Sequence, residues 1–151
     1  MPTTLPKEAF LALVALSHAD GSVRPIEKAG LLRAAEACGV GQDGRGDIEA
    51  ALATSATLDS FVPGEMTDWQ RALTYALACW LMRLDGVLST DERESLAQLG
   101  KRLDLDEGTR QRASAAAFDV YVLPEAGRPE RFDFVKLEER LREKLPRFKD
   151  A

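Results

Sequence analysis

The chain has 151 residues, 45% of them hydrophobic and 30% charged, which supports one folded domain with a sizeable core and excludes wholesale disorder. Its formal net charge of −5 sets it apart from nucleic-acid binders that work by neutralising phosphates with a basic surface. The charge is uneven, because residues 128–151 hold eight Lys/Arg against six Asp/Glu, so the last segment is mildly basic and the body before it acidic.

Apolar residues recur at helical spacing almost throughout. Phe10, Leu13, Val14 and Ser17 share one face of a first helix, with Pro6 suited to its first turn. The run AFLALVAL followed by SHA has the look of a signal sequence, but Lys7 and Glu8 cancel, and an equally apolar run, ALTYALACWLM, stands deep in the chain. Residues 6–19 therefore read as a core helix. Leu31, Ala34, Ala35 and Cys38 mark a second helix, and Ile48, Ala51, Leu52 and Ser55 a third. GVGQDGRG (39–46) reads as the loop between them. DSFVPGEM (59–66) forms the next break, after which Thr67 and Gln70 make a capping box.

A fourth helix carries Leu73, Ala76, Leu77, Trp80 and Leu84, a fifth Leu96, Leu99, Gly100 and Leu103, and a sixth Ala113, Ala116, Ala117 and Val120. Val120–Leu123 could pass for a strand but reads as the end of the sixth helix before Pro124. After LPEAGRPER (123–131) comes a last helix, approximately 132–147, with a stripe of Phe134, Leu137, Leu141 and Leu145 and a stop at Pro146. Ala and Leu dominate and alternating β-branched runs are missing, so the expected fold is all-α, about seven helices in a compact bundle. No apolar run reaches the roughly 18–20 residues of a membrane span, so no membrane insertion is expected.

The organising feature is an internal repeat. A shift of 65 residues aligns Asp20 with Asp85, Gly21 with Gly86, Val23 with Leu88, Glu27 with Glu92, Leu31 with Leu96 and Val40 with Leu105. The copies span approximately 6–58 and 67–122. Neither copy can bury its apolar faces alone, so two pseudo-twofold related repeats plus a C-terminal helix are predicted to form a single domain over 1–151.

Each copy holds an Asp-Gly pair behind a helix and a Glu seven residues after the Asp: HADGSVRPIE and RLDGVLSTDE. The glycines suit helix ends, and the glutamates suit first turns, Glu92 in a capping box with Ser89. In the first copy Pro25 fits the first helical position, but Arg24 is a poor N-cap. Asp20 and Asp85 are harder to explain, because a negative charge at a helix C-terminus opposes the dipole by about 0.3–1 kcal/mol. Loop amides, a basic partner residue or a bound cation would each offset that. The spacing is not that of an EF-hand, whose Gly stands at position 6 and Glu at position 12. Asp20, Glu27, Asp85 and Glu92 are nevertheless the candidate metal ligands if the pseudo-twofold brings both turns to one divalent ion. Turn-and-cap work and an acidic surface for a partner are the other readings.

The pattern Ala19-Asp20-Gly21-Ser22-Val23…Glu27, echoed by Leu84-Asp85-Gly86-Val87-Leu88…Glu92, resembles the TerB-like family over approximately residues 6–122. Leu84 replaces the family's alanine in the second copy. The resemblance implies a compact helical bundle with an acidic surface, found in bacterial proteins of tellurite resistance, stress response and chaperone complexes. It implies a binding module rather than a catalyst, with acidic residues that are candidates for holding metal.

Other features are absorbed by structure. GVGQDG spells G-x-G-x-x-G, but no strand precedes it, so nucleotide binding is not expected. His18 is the lone histidine, Arg83 takes its place in the second copy, and no catalytic triad can be assembled around it. Cys38 and Cys79 read as buried free thiols, and Trp69, Trp80 and Phe10 as core. The expectation is a cytoplasmic, non-enzymatic protein-interaction or stress-response protein with a protein partner and no certain cofactor, a divalent metal ion being the one candidate. The alternative is a divalent-cation-binding protein that uses the two acidic turns.

Overall fold

The helically spaced apolar positions close into a bundle of α-helices in a computed structural model, which describes residues 4–18, 23–54, 64, 66–84, 90–122 and 132–148. Among these residues the helices are α1 (Lys7–Ser17), α2 (Pro25–Ala37), α3 (Gln42–Leu52), α4 (Asp68–Met82), α5 (Thr90–Arg102), α6 (Glu107–Tyr121) and α7 (Phe134–Lys144). A 3-10 turn at Pro146–Phe148 follows the last. The expected all-α bundle of seven helices is therefore found.

Two helices form the centre. In α4, Trp69 and every residue from Ala72 to Met82 are buried, and in α1 so are Ala9, Phe10 and Ala12–Ser17. A helix segment apolar on most sides belongs inside a protein, so beyond the first turn of each helix the expected stripe is only part of the buried surface. α4 packs against α1, α2, α5, α6 and α7, while α1 packs against α2, α3, α4 and α5. Close approach of α2 to α4 depends on Gly30, where an added Cβ would come 2.7 Å from Leu84 Cδ1 and 3.2 Å from Trp80 Cη2.

The start of α4 forms as its sequence requires. Thr67 Oγ1 accepts from the Gln70 amide at 3.1 Å, and Gln70 Oε1 accepts from the Thr67 amide at 2.9 Å. Two other helix starts differ from expectation. Pro6 is the N-cap of α1 rather than part of its first turn. The GVGQDGRG segment is a loop only as far as Gly41, the N-cap of α3, and residues 42–46 are already helical. Gly44 and Gly46 cost α3 roughly 1 kcal/mol each relative to alanine. Burial of Ile48, an ion pair of 2.8 Å between Lys7 and Asp47, and Asp43 in the positive first turn outweigh that cost.

The C-terminal stripe lies against the bundle, with Phe134, Leu137, Leu141 and Leu145 all buried. α7 stops at Lys144, three residues short of the expected end, because Pro146 cannot continue the ladder. Its aromatic neighbours close the core: Trp80 stacks on Phe132 at 4.3 Å between ring centroids and meets Phe134 edge-on at 5.2 Å. Among the described residues the basic tail meets the acidic body in an ion pair of Lys144 with Asp119 of α6 at 3.2 Å. No helix among the described residues is long and apolar enough to cross a membrane. The breaks at 59–66 and 123–131 fall almost entirely outside the described residues.

Candidate functional site

Of the four candidate metal ligands, Asp20 and Asp85 lie outside the described residues, as does Ser89. Glu27 and Glu92 are described, and each occupies the third position of its helix, α2 and α5. Both are buried, at 4% and 5% exposure, which is unusual for carboxylates. Glu27 Oε1 accepts from the Arg24 amide at 3.2 Å, returning to the N-cap as a first-turn glutamate does. Arg24 cannot complete a capping box, since a guanidinium has no acceptor. Pro25 supplies the preset φ at the first helical position instead. Among the described residues, no three His, Cys, Asp or Glu side chains gather as a metal would require.

His18 is the C-cap of α1, with Nε2 3.3 Å from the carbonyl of Ala51, and Arg83 is the C-cap of α4. Both are helix-end residues. Cys38 and Cys79 are buried and free. Burial pushes the Cys38 thiol up to about 12 and the Cys79 thiol up to about 11, so neither is a thiolate near neutral pH.

A cleft of about 470 Å³ opens between α4, α5 and α6, where the sequence reading identified no site. Tyr75 and Cys79 of α4 line it, with Ser114 and Tyr75 hydrogen-bonded to Cys79. Burial raises the Tyr75 phenol to about 12, so it enters any interaction as a neutral hydroxyl. Arg83, Arg93 and Arg110 line the same cleft from three helices or their ends. The Arg83 guanidinium also lies over the exposed ring of Phe118, 5.3 Å from its centroid. Phe118 and Val122, one turn apart at the end of α6, are 46% and 60% exposed.

The sequence does not mark these arginines as a group, because they are scattered over 28 positions. One signal was available: Arg110 repeats Arg45 at the 65-residue shift. No model of a known protein family, no curated protein and no solved structure matches the chain.

Proposed function

We propose that the chain is a TerB-like, non-enzymatic binding module that acts by docking another protein against the end of α6. The observation that carries this is the exposed pair Phe118 and Val122, the first topped by the Arg83 guanidinium. An exposed aromatic residue beside an arginine is the composition of a recognition patch, since both residue types are enriched at interface hot spots. The duplicated architecture is supported by positions that agree in burial across the 65-residue shift: Leu31 and Leu96, Ala34 and Leu99, Ala35 and Gly100, Cys38 and Leu103, Glu27 and Glu92. Free buried cysteines suit a reducing cytoplasm, and stress response of the tellurite-resistance kind is the context the resemblance offers.

A photo-crosslinking residue at Val122, expressed in the native cell, tests this reading. A discrete adduct is expected that disappears when Phe118→Asp is added. No adduct, or one indifferent to Phe118→Asp, removes the docking role from this patch.

Divalent-cation binding is the second reading, favoured by the burial of Glu27 and Glu92, each seven residues after the Asp of an Asp-Gly pair. Titration calorimetry with Ca²⁺, Mg²⁺, Zn²⁺ and Mn²⁺ tests it. Heat lost in the Asp20→Asn, Asp85→Asn double variant supports a site that uses both turns, and no heat at millimolar metal ends the idea.

A further inference from the structure

We propose that the cleft between α4, α5 and α6 binds a phosphorylated small molecule, with its phosphate held by Arg83, Arg93 and Arg110. The site is separate from the docking patch in chemistry, although Arg83 borders both.

Charge carries the argument. Three arginines line one cleft in a protein whose net charge is −5. Like charges brought together repel unless a counter-charge joins them. Among the described residues, none of the three arginines forms an ion pair. Glu107 is the cleft's one acidic lining residue, and its Oε1 receives the Gln111 side-chain amide at 3.3 Å. Among the described residues the lining therefore carries three arginines against one acid, a surplus that an anionic ligand would balance. Guanidinium forks match phosphate oxygens in pairs, and several forks together favour a dianion over a single carboxylate.

The first copy of the repeat supplies an internal control. A cleft between α2 and α3 is lined by Arg45, which stands 65 residues before Arg110. There the charge is already balanced, because Arg45 reaches Glu36 at 3.8 Å and Glu49 shares the lining. At the corresponding positions the second copy has Lys101 and Ser114. In both clefts the arginine Nε is buried without a hydrogen-bond partner, so that feature belongs to the fold position and not to a ligand. The second copy lacks both acids and has one other, Glu107 in place of Gln42, so its described lining holds three arginines against one acid, whereas the first holds Arg33 and Arg45 against Glu36 and Glu49.

The arginines are also positioned in advance. Arg110 lies directly over Gly100 of α5, where an added Cβ would collide with its Cδ. Arg83 is steadied by the Phe118 ring. A volume of about 470 Å³ admits a body the size of a sugar phosphate. Tyr75, Leu96 and Ala97 give it an apolar wall with one hydroxyl, while Glu107 and Gln111 can meet sugar hydroxyls.

Titration calorimetry on the full chain at low ionic strength tests the proposal, with ribose 5-phosphate, pyrophosphate and citrate as probes. The phosphorylated probes are expected to bind with Kd below about 1 mM and to weaken with salt. Arg93→Gln and Arg110→Gln should each weaken binding about tenfold or more, and Gly100→Ala should weaken it by displacing Arg110. Arg45→Gln, the matched change in the first copy, should leave binding intact. If Arg110→Gln melts early, exposed Arg93 carries the comparison alone. No binding of either phosphorylated probe overturns the site. So does equal loss in Arg45→Gln, and citrate binding as tightly as the phosphates overturns the ligand class.

Discussion

Gly39 and Asp104 stand 65 residues apart and hold the same left-handed backbone, with φ of +80° and +57°. They end α2 and α5 in the same way. The Val40 amide reaches back to the Ala35 carbonyl and the Leu105 amide to the Gly100 carbonyl, each at 3.0 Å. Gly39 and Asp104 themselves donate to Glu36 and Lys101, at 3.2 and 3.0 Å. This is the double closure of a Schellman ending, in which glycine is the favoured residue.

Asp104→Gly should therefore stabilise the protein. The left-handed strain removed exceeds the entropy that glycine adds to the unfolded chain, leaving a net gain of about 0.5–1 kcal/mol. Such a gain raises Tm by roughly 1–4 °C in a chain of this length. Gly39→Ala should move Tm the other way, through φ alone, since the nearest atom to the new Cβ would be Thr4 Oγ1 at a comfortable 3.5 Å. A fall in Tm for Asp104→Gly would mean that the aspartate side chain itself secures the turn.

Two residues further on, the copies differ in the opposite sense. Asp106 caps α6 by accepting from the Thr109 amide at 2.7 Å, whereas Gly41 caps α3 with no side chain at all. No atom lies within 4 Å of a Cβ built on Gly41. Gly41→Asp should accordingly add a few tenths of a kcal/mol, about 0.3–0.5.

The same cap has a pH signature. The Thr109 backbone bond holds the Asp106 carboxyl below its ordinary value of 3.8. A group whose folded pKa is depressed stabilises fully above its unfolded value and loses that contribution as pH falls through the folded one. Asp106→Asn keeps an acceptor but cannot titrate. Urea unfolding between pH 2 and 7 should show the wild type's advantage over Asp106→Asn shrinking below about pH 4. A constant difference across that range would contradict the assignment.

Glu27 separates cap from cation. As a cap it needs only an acceptor for the Arg24 amide, which glutamine also supplies. Glu27→Ala should cost about 1 kcal/mol or more, and Glu27→Gln should recover most of it. If Glu27 instead held a cation, glutamine would rescue stability without rescuing metal-dependent stabilisation. Melting curves with and without millimolar Ca²⁺ distinguish the outcomes.

How far the sequence could be read depended on the range of the interactions involved. The apolar spacings and the Thr67–Gln70 box are local, and each appears where its residues predicted; the Pro146 stop is local too, but it ends α7 already at Lys144. Residues 42–46 read as a loop because glycine density is a local signal for one, while the burial of Ile48 and the Lys7–Asp47 pair that make them helical come from tertiary packing. The enclosure of α1 and α4 was visible only as an apolar stripe, although ALTYALACWLM is apolar on every side. The arginine cleft was illegible for a deeper reason. A surplus of arginines in one described lining is a property of three helices together, and no window of sequence contains it.

Arg71 provides the last test, again by comparison of the two copies. At the end of α2 the Cys38 carbonyl is met by the Leu5 amide at 3.1 Å. At the equivalent point of α5, the Leu103 carbonyl is met by a side chain, Arg71 Nη1 at 3.1 Å. The same guanidinium donates through Nε to Met66 O at 3.0 Å and through Nη2 to Gly64 O at 3.3 Å. One planar fork thereby ties the start of α4 to the end of α5, and only an arginine has donors in that arrangement. Arg71→Met should cost about 1–3 kcal/mol by stranding partly buried carbonyls, and Arg71→Lys should restore only a fraction. Denaturant midpoints give the cost, while hydrogen exchange should show faster opening of the last turn of α5 but not of α2. Equal loosening of both helix ends would place the effect in the core instead.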